Sequence, residues 1–374
     1  MRNYLKSVTA LCLAAGGAHA GALDRTGQSV DVLFEDGRYV EFSFATISPN
    51  LSGTGSVLSN GIGSGDISPS YQQYGAAYKA DINDRLSYAI ILDQPFDASV
   101  DYPTGTGYFA AGSSAEYDSV ALTGLLQYNL NNGVSVFGGL RLQSAEANAT
   151  IQFNAPALGL NLDYSVDAQR DYGVGYVVGV AYEKPEIALR VSLTYNSEIS
   201  HENDTSETLT SPLPLTRTSV TEFETPQSVN LAFQTGIAPN TLLFGGIRWV
   251  DWSDFALTPS LYQQVTTGSL LSYREDVFTY TLGLGRKLND TWSVAATLGY
   301  EETQNNLFTN LGPSDGQRSI GLAAIYSQGN MKITTGIRYV RIGDTITVAG
   351  AAAPAARFEN NDAVAIGVKI GYTF

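Results

Sequence analysis

Along most of this chain apolar and polar residues alternate with a period of two. The last stretch shows it best. Val364, Ile366, Val368, Ile370, Tyr372 and Phe374 fall on one side, and Ala365, Gly367, Lys369, Gly371 and Thr373 on the other. In a strand successive side chains point to opposite faces, so one face here is apolar and aromatic and the other small or polar. The same pattern predicts strands near 38–48, 70–81, 85–94, 116–130, 133–144, 171–182, 186–199, 221–238, 241–252, 270–288, 291–303, 316–327, 330–342 and 360–374. These are fourteen segments, an even number, each at least about as long as a tilted membrane-crossing strand. Beyond residue 20 no apolar run reaches the roughly 18 residues that a membrane helix requires.

The connections alternate too. Tight turns rich in Asn, Asp, Gly and Pro are predicted at Ile82-Asn83-Asp84, Asn131-Asn132, Glu183-Lys184-Pro185, Pro239-Asn240, Asn289-Asp290 and Gln328-Gly329. Long loops are predicted at 49–69, 95–115, 145–170, 200–220, 253–269, 304–315 and 343–359. A soluble sandwich has no reason to gather all its long loops at one end. An outer-membrane barrel does, with short periplasmic turns and long outer loops. The expected fold is therefore all-β: a 14-stranded antiparallel transmembrane β-barrel. Tyr128, Tyr172, Tyr280, Trp292, Tyr300, Tyr339, Tyr372 and Phe374 share the apolar face, and many lie near strand ends, where headgroups meet hydrocarbon.

The ends of the chain differ from this pattern. Arg2 and Lys6, the apolar run Val8 to Ala15, and Ala18-His19-Ala20 have the layout of a cleaved signal peptide over residues 1–20. Thr9, three positions before Cys12, lacks the leucine of a lipoprotein signal. Residues 21–37 carry Asp24, Arg25, Gln28, Asp31, Glu35 and Asp36 with little alternation. They are too polar to face lipid and are expected to form a short plug, or hatch, inside the barrel of residues 38–374.

Charge and composition narrow the function. The formal charge of −15 becomes −17 once the leader and its two basic residues are removed, which does not suit nucleic acid. The processed chain has no cysteine and one histidine, His201, set in the polar run His201-Glu202-Asn203-Asp204 and read as a solvated loop residue. Hydrolysis at a barrel rim needs a nucleophile with a base, and His201 has no nameable partner, so no catalytic residue, no enzyme activity and no cofactor is expected. A His or Cys metal site is excluded by composition, and only an all-oxygen site in an acidic loop stays open. Gly61-Ile62-Gly63-Ser64-Gly65 lacks the downstream Gly-Lys-Ser/Thr of a phosphate cradle.

Two sets of residues are candidates for ligand contact. Arg141, Arg190, Arg248, Arg338 and Lys369, with Lys79, have lumen-facing parity, where each either meets an anionic head or pairs with lumen or plug acids. The long loops are unexpectedly apolar. Phe153, Leu158 and Leu160 in 145–170, Leu213 and Leu215 in 200–220, and Phe255 in 253–269 are candidates for a hydrophobic catching groove.

At several points the chain resembles the FadL-type outer-membrane long-chain fatty acid transporters, a family that includes aromatic hydrocarbon importers. The similarity rests on Thr225-Pro226-Gln227-Ser228, then Gly236 and Pro239, then Trp249-Val250-Asp251-Trp252-Ser253-Asp254-Phe255. It continues through Tyr273-Arg274-Glu275-Asp276 with Gly283 and Gly285, and Pro313-Ser314-Asp315. Upstream it includes Gly173, Gly175 and Gly179 with Leu193 to Ile199, and Asp93-Gln94-Pro95-Phe96. Two departures are an N-terminus without the family's Asn-Pro-Ala element, and Asn196 where an arginine is common.

The resemblance implies a 14-stranded barrel plugged by a hatch. It also implies passive passage of a hydrophobic small molecule, most directly a long-chain fatty acid, caught on the outer loops and released sideways. An aromatic or alkane hydrocarbon importer of the same fold, or a nonspecific porin, are the alternatives. The expected surroundings are outer-membrane lipid and lipopolysaccharide of a Gram-negative bacterium, with the protein a monomer.

Overall fold

The computed structural model describes residues 23–56, 58–155, 160–304, 307–349 and 352–374. The expected leader at 1–20 and Leu158 lie outside these residues, as does the side chain of Leu160.

Among the described residues fourteen strands close into one barrel. They are β1 (Tyr39–Asn50), β2 (Tyr71–Asp81), β3 (Leu86–Asp93), β4 (Ser114–Asn129), β5 (Val134–Ala155), β6 (Leu160–Lys184), β7 (Leu189–Asn196), β8 (Ser228–Ala238), β9 (Thr241–Val250), β10 (Val277–Lys287), β11 (Trp292–Glu301), β12 (Gln317–Gln328), β13 (Met331–Ile342) and β14 (Asp362–Thr373). Each pairs antiparallel with the next, and β14 returns to β1 from Tyr39↔Thr373 to Asn50↔Asp362. Closure leaves no free seam between the first and last strands, which is what hydrocarbon demands of backbone amides. The outward face carries exposed Phe42, Leu122, Leu140, Tyr172, Val174, Leu298 and Ile366, the lipid-facing half of the alternation.

Two expected loops are strands instead. β5 continues through 145–155 and β6 through 160–170, so that the two form a tall hairpin, paired from Ala147↔Ala168 to Ala155↔Leu160. Residues 199–211 and 215–225 form a second hairpin, and 199–211 also pairs with the upper part of β6. The reason is visible in the burial of 199–211, which alternates residue by residue. Its buried face holds His201, Asn203, Thr205 and Glu207 between Ile199 and Leu209. The period is that of a strand, but its inner face is polar, so hydrophobicity alone does not reveal it. His201 is accordingly buried, not a solvated loop residue.

Ser52–Gly55, Gly63–Asp66, Leu307–Thr309, Thr345–Ala349 and Ala352–Phe358 make a small five-stranded sheet over the mouth. Helix α1 (Ser260–Thr266) lies between β9 and β10.

Residues 23–37 occupy the lumen, running from the outer side down to the start of β1. A single helical turn, Asp31–Phe34, buries Val32 and Leu33. With Val30 they pack on Ala77, Ile91, Leu125, Phe137 and Val177 of the barrel wall. Gly37 at φ +63° then turns the chain into β1, a conformation that a side chain disfavours.

Candidate functional site

The lumen cations are the first test of the sequence expectations, and most are engaged. Arg248 is clamped by the plug: its Nε and Nη2 donate to Asp24 Oδ2 and Oδ1 at 2.5 and 3.2 Å, and Nη1 donates to Gly27 O and Asn230 Oδ1. Arg190 lies 3.6 Å from Asp31 and 4.3 Å over the Phe34 ring. Lys369 sits 3.4 Å from Glu41, and Lys79 2.5 Å from Asp81. Arg338 is half-buried opposite Gly321. Arg141 differs. It is buried, and its donors reach neutral groups, Thr123 Oγ1 at 2.9 Å and Asn196 Oδ1 at 3.0 Å. The residue that stands where the family commonly has an arginine thus accepts from Arg141.

The candidate loop residues do not converge on one groove. Phe255 is buried in a cluster with Phe96, Tyr117, Phe223, Trp252 and Tyr273 at the outer end of the lumen. Phe153 packs edge-on against Phe109, 5.6 Å away, in a separate cluster under the small sheet. Leu213 and Leu215 are exposed at the tip of the second hairpin, Leu213 at 72%. These tip residues present an apolar outer surface, and the Phe255 cluster lies beneath it.

His201 sits between the two levels. Its ring stacks on Phe223 at 5.4 Å, and Nδ1 meets Asp171 Oδ2 at 3.3 Å. Burial lowers its pKa below the ordinary histidine value, and Asp171 opposes that shift.

The wall itself has a break that the sequence reading did not locate. Pairing of β2 with β3 ends at Ala76↔Leu92. Beyond it Gln94-Pro95 carries the chain away, and Asp97–Asp101 pairs with β4. The edge of β2 from Tyr71 to Gly75 therefore lacks a strand partner on that side. Gln94 Oε1 accepts from the Tyr74 N–H at 2.9 Å, capping one freed donor. The available signal was Pro95, since proline cannot continue a ladder.

The plug closes this break from inside. Asp24 and Phe96 form an antiparallel bridge. The Arg25 N–H donates to Pro95 O, and the Asp97 N–H to Leu23 O, both at 2.8 Å. The Arg25 guanidinium lies 4.6 Å over the Tyr71 ring on one side of the break and 3.6 Å from Asp97 on the other. A cavity of about 90 Å³ lies alongside, lined on the lumen side by Glu41, Ser43, Gln73 and Asp93 and on the lipid side by Phe44, Tyr74 and Leu92. Four of the ten buried side-chain polar atoms without a hydrogen-bond partner among the described residues fall here: Arg25 Nε, Tyr71 Oη, Gln73 Nε2 and Asp93 Oδ1. Buried polar groups are ordinarily satisfied, so such a concentration marks a site rather than a packing accident.

Below the plug a wide vestibule of about 800 Å³ opens on the short-turn side, lined by Glu35, Asp36, Lys79, Asp84, Glu183 and Arg190. It is polar, in contrast to the aromatic outer end.

Comparison with known proteins agrees with this architecture. The family model described as outer membrane protein transport protein (OMPP1/FadL/TodX) matches residues 36–374. Among solved structures, a FadL homologue of Pseudomonas aeruginosa is 13% identical over 96% of both chains, with a TM-score of 0.73. The toluene transporter TodX of P. putida is 13% identical over 92% of both chains, at 0.69. The toluene transporter TbuX of Ralstonia pickettii is 13% identical over 96% of this chain and 97% of its own, at 0.63. At such identities the likeness is one of fold. A search of curated sequences finds no match.

Proposed function

Since the chain belongs to the outer membrane protein transport family (OMPP1/FadL/TodX), and is thus a Gram-negative outer-membrane barrel for hydrophobic small molecules, we propose that it takes its ligand from an apolar outer surface and releases it sideways into the bilayer. The observation that carries this reading is the break between β2 and β3, with a cavity reaching from the plug to lipid-facing Phe44, Tyr74 and Leu92. A hydrophobic molecule leaves water on the apolar outer surface at Leu213 and Leu215, above the Phe255 cluster, gaining roughly 25 cal/mol per Å² of apolar surface buried. A gap in the wall lets it reach hydrocarbon without entering water again. Transport of this kind is passive and follows the concentration gradient.

Within that class the resemblance puts long-chain fatty acids first, and Arg141 is the cation best placed to take a carboxylate, since its donors are held by neutral partners. Replacing it by methionine then lowers oleate uptake by about tenfold to a hundredfold, the worth of a charge-assisted hydrogen bond. A second reading, an aromatic or alkane hydrocarbon, is favoured by the ion pairing of Arg25, Arg190, Arg248 and Lys369. The plug in the lumen argues against a nonspecific porin.

The test is uptake of radiolabelled oleate and toluene by cells with and without the protein, with a small polar solute as control. A protein-dependent rise in either hydrophobic compound, with the polar solute excluded, supports the reading and names the ligand. Leakage of the polar solute with no hydrophobic uptake overturns it in favour of a porin.

A further inference from the structure

We infer that the cavity in the break between β2 and β3 is a head-group subsite for uncharged, hydroxyl-bearing apolar molecules, with Gln73 and Asp93 as its specificity residues, and that it turns carboxylates away. The inference rests on the lateral-release reading above and, of the ligand classes considered there, sides with the uncharged one against the carboxylate.

The cavity of about 90 Å³ has room for a head of a few atoms, not for a long tail. Its lipid side is apolar, so a tail belongs in the bilayer and a polar head inside. The inner side supplies one donor and one acceptor that nothing in the protein uses. Gln73 is buried and its Nε2 has no partner. Asp93 is buried, its Oδ2 accepts from Thr26 Oγ1 at 2.7 Å, and its Oδ1 has no partner. A hydroxyl carries one proton to give and lone pairs to receive, so a single ligand oxygen can donate to Asp93 Oδ1 and accept from Gln73 Nε2. A carboxylate can only accept.

Charge adds to the discrimination. Three carboxylates line the cavity, Asp31, Glu41 and Asp93, against one cation, Lys369. Lys369 is already paired with Glu41, which also accepts from Tyr39 Oη at 3.1 Å, and Asp31 is paired with Arg190. Asp93 has no salt bridge among the described residues. Arg141 and Arg248 act on Asp93 only from beyond salt-bridge distance, their donors being held by Thr123, Asn196 and Asp24, so an entering anion still meets the Asp93 carboxylate at the closest range, and like charges at short range in a poorly solvated site repel strongly. A pure hydrocarbon meets no repulsion, but leaves the donor and acceptor unmatched.

The experiment compares initial uptake rates of radiolabelled decanol, decanoate and decane in cells with and without the full chain. Wild type is expected to carry decanol about tenfold faster than decanoate, the scale set by one well-matched polar group. Gln73→Leu is expected to lower decanol uptake severalfold relative to decane, with the slower migration of the boiled sample showing that the barrel is intact. Asp93→Asn is expected to narrow the gap between decanol and decanoate. Decanoate entering as fast as decanol in wild type overturns the inference, as does a fall of all three probes together in both variants. Decane entering with no preference for decanol overturns the subsite and leaves lateral release standing. No protein-dependent entry of any probe overturns both.

Discussion

Glu207 shows how much one buried carboxylate organises here. It is almost fully buried, yet accepts from Tyr164 Oη at 2.8 Å, the Tyr262 N–H at 2.9 Å, the Leu261 N–H at 3.0 Å and Ser260 Oγ at 3.2 Å. It thereby fastens α1 to the second hairpin and to β6. Glu207→Gln removes the charge and points an amide donor at other donors. The expected local loss is about 2–4 kcal/mol, read as faster proteolytic cleavage in 253–269 with the barrel intact. His201 makes the same hairpin sensitive to pH. Its pKa is lowered in the folded hairpin by burial, so the unfolded hairpin binds the proton more readily. The hairpin's stability is therefore full above the ordinary histidine value of 6.5 and falls as pH drops below it. Protease resistance of 199–225 should decline from pH 7.5 to pH 5, and His201→Phe should flatten that decline. Neither residue was legible as structural in the sequence. Each sits on the buried face of a strand whose alternation is polar against polar, and no hydrophobicity pattern marks such a face.

The strands that were legible are those whose outer face meets lipid, because lipid forces that face to be apolar at every second position. Their predicted ends fall close to the observed ones wherever an Asn, Asp, Gly or Pro turn follows, as at Asn240 and Gly329, both at positive φ. The plug was legible as an element from its polarity, but its contacts were not. Asp24 meets Arg248 across 224 positions, and Arg25 meets Tyr71 and Asp97. Which buried charges pair depends on how fourteen strands close, and local sequence does not encode that. The contacts make a prediction for the element. Asp24→Asn leaves Arg248 buried beside a neutral partner and loosens the upper plug, whereas deleting residues 21–37 removes the plug entirely. Single-channel recording in planar bilayers should show rare openings for the point variant and steady ion conduction for the deletion. A deletion variant that stays non-conducting would mean that the outer loops alone seal the lumen.

For the whole molecule, closure of β14 on β1 over the full length of β1, from Tyr39↔Thr373 to Asn50↔Asp362, pairs the seam completely, and the short β2 edge at the break is capped by Gln94 and backed by the plug, so no strand-length edge is left for a second copy. The purified protein is expected to behave as a monomer in detergent, and to resist unfolding in dodecyl sulfate until boiled, seen as faster migration of the unheated sample.

The break between β2 and β3 has one more consequence. A passage that empties into the wall delivers its cargo to the membrane and not to the compartment behind it. With the lateral release proposed above, each copy of the protein doses the outer membrane with whatever it carries. On the proposed route a hydrophobic solvent enters by the same slit as any other cargo, so a cell's tolerance of toxic solvents should fall as the number of these barrels on its surface rises.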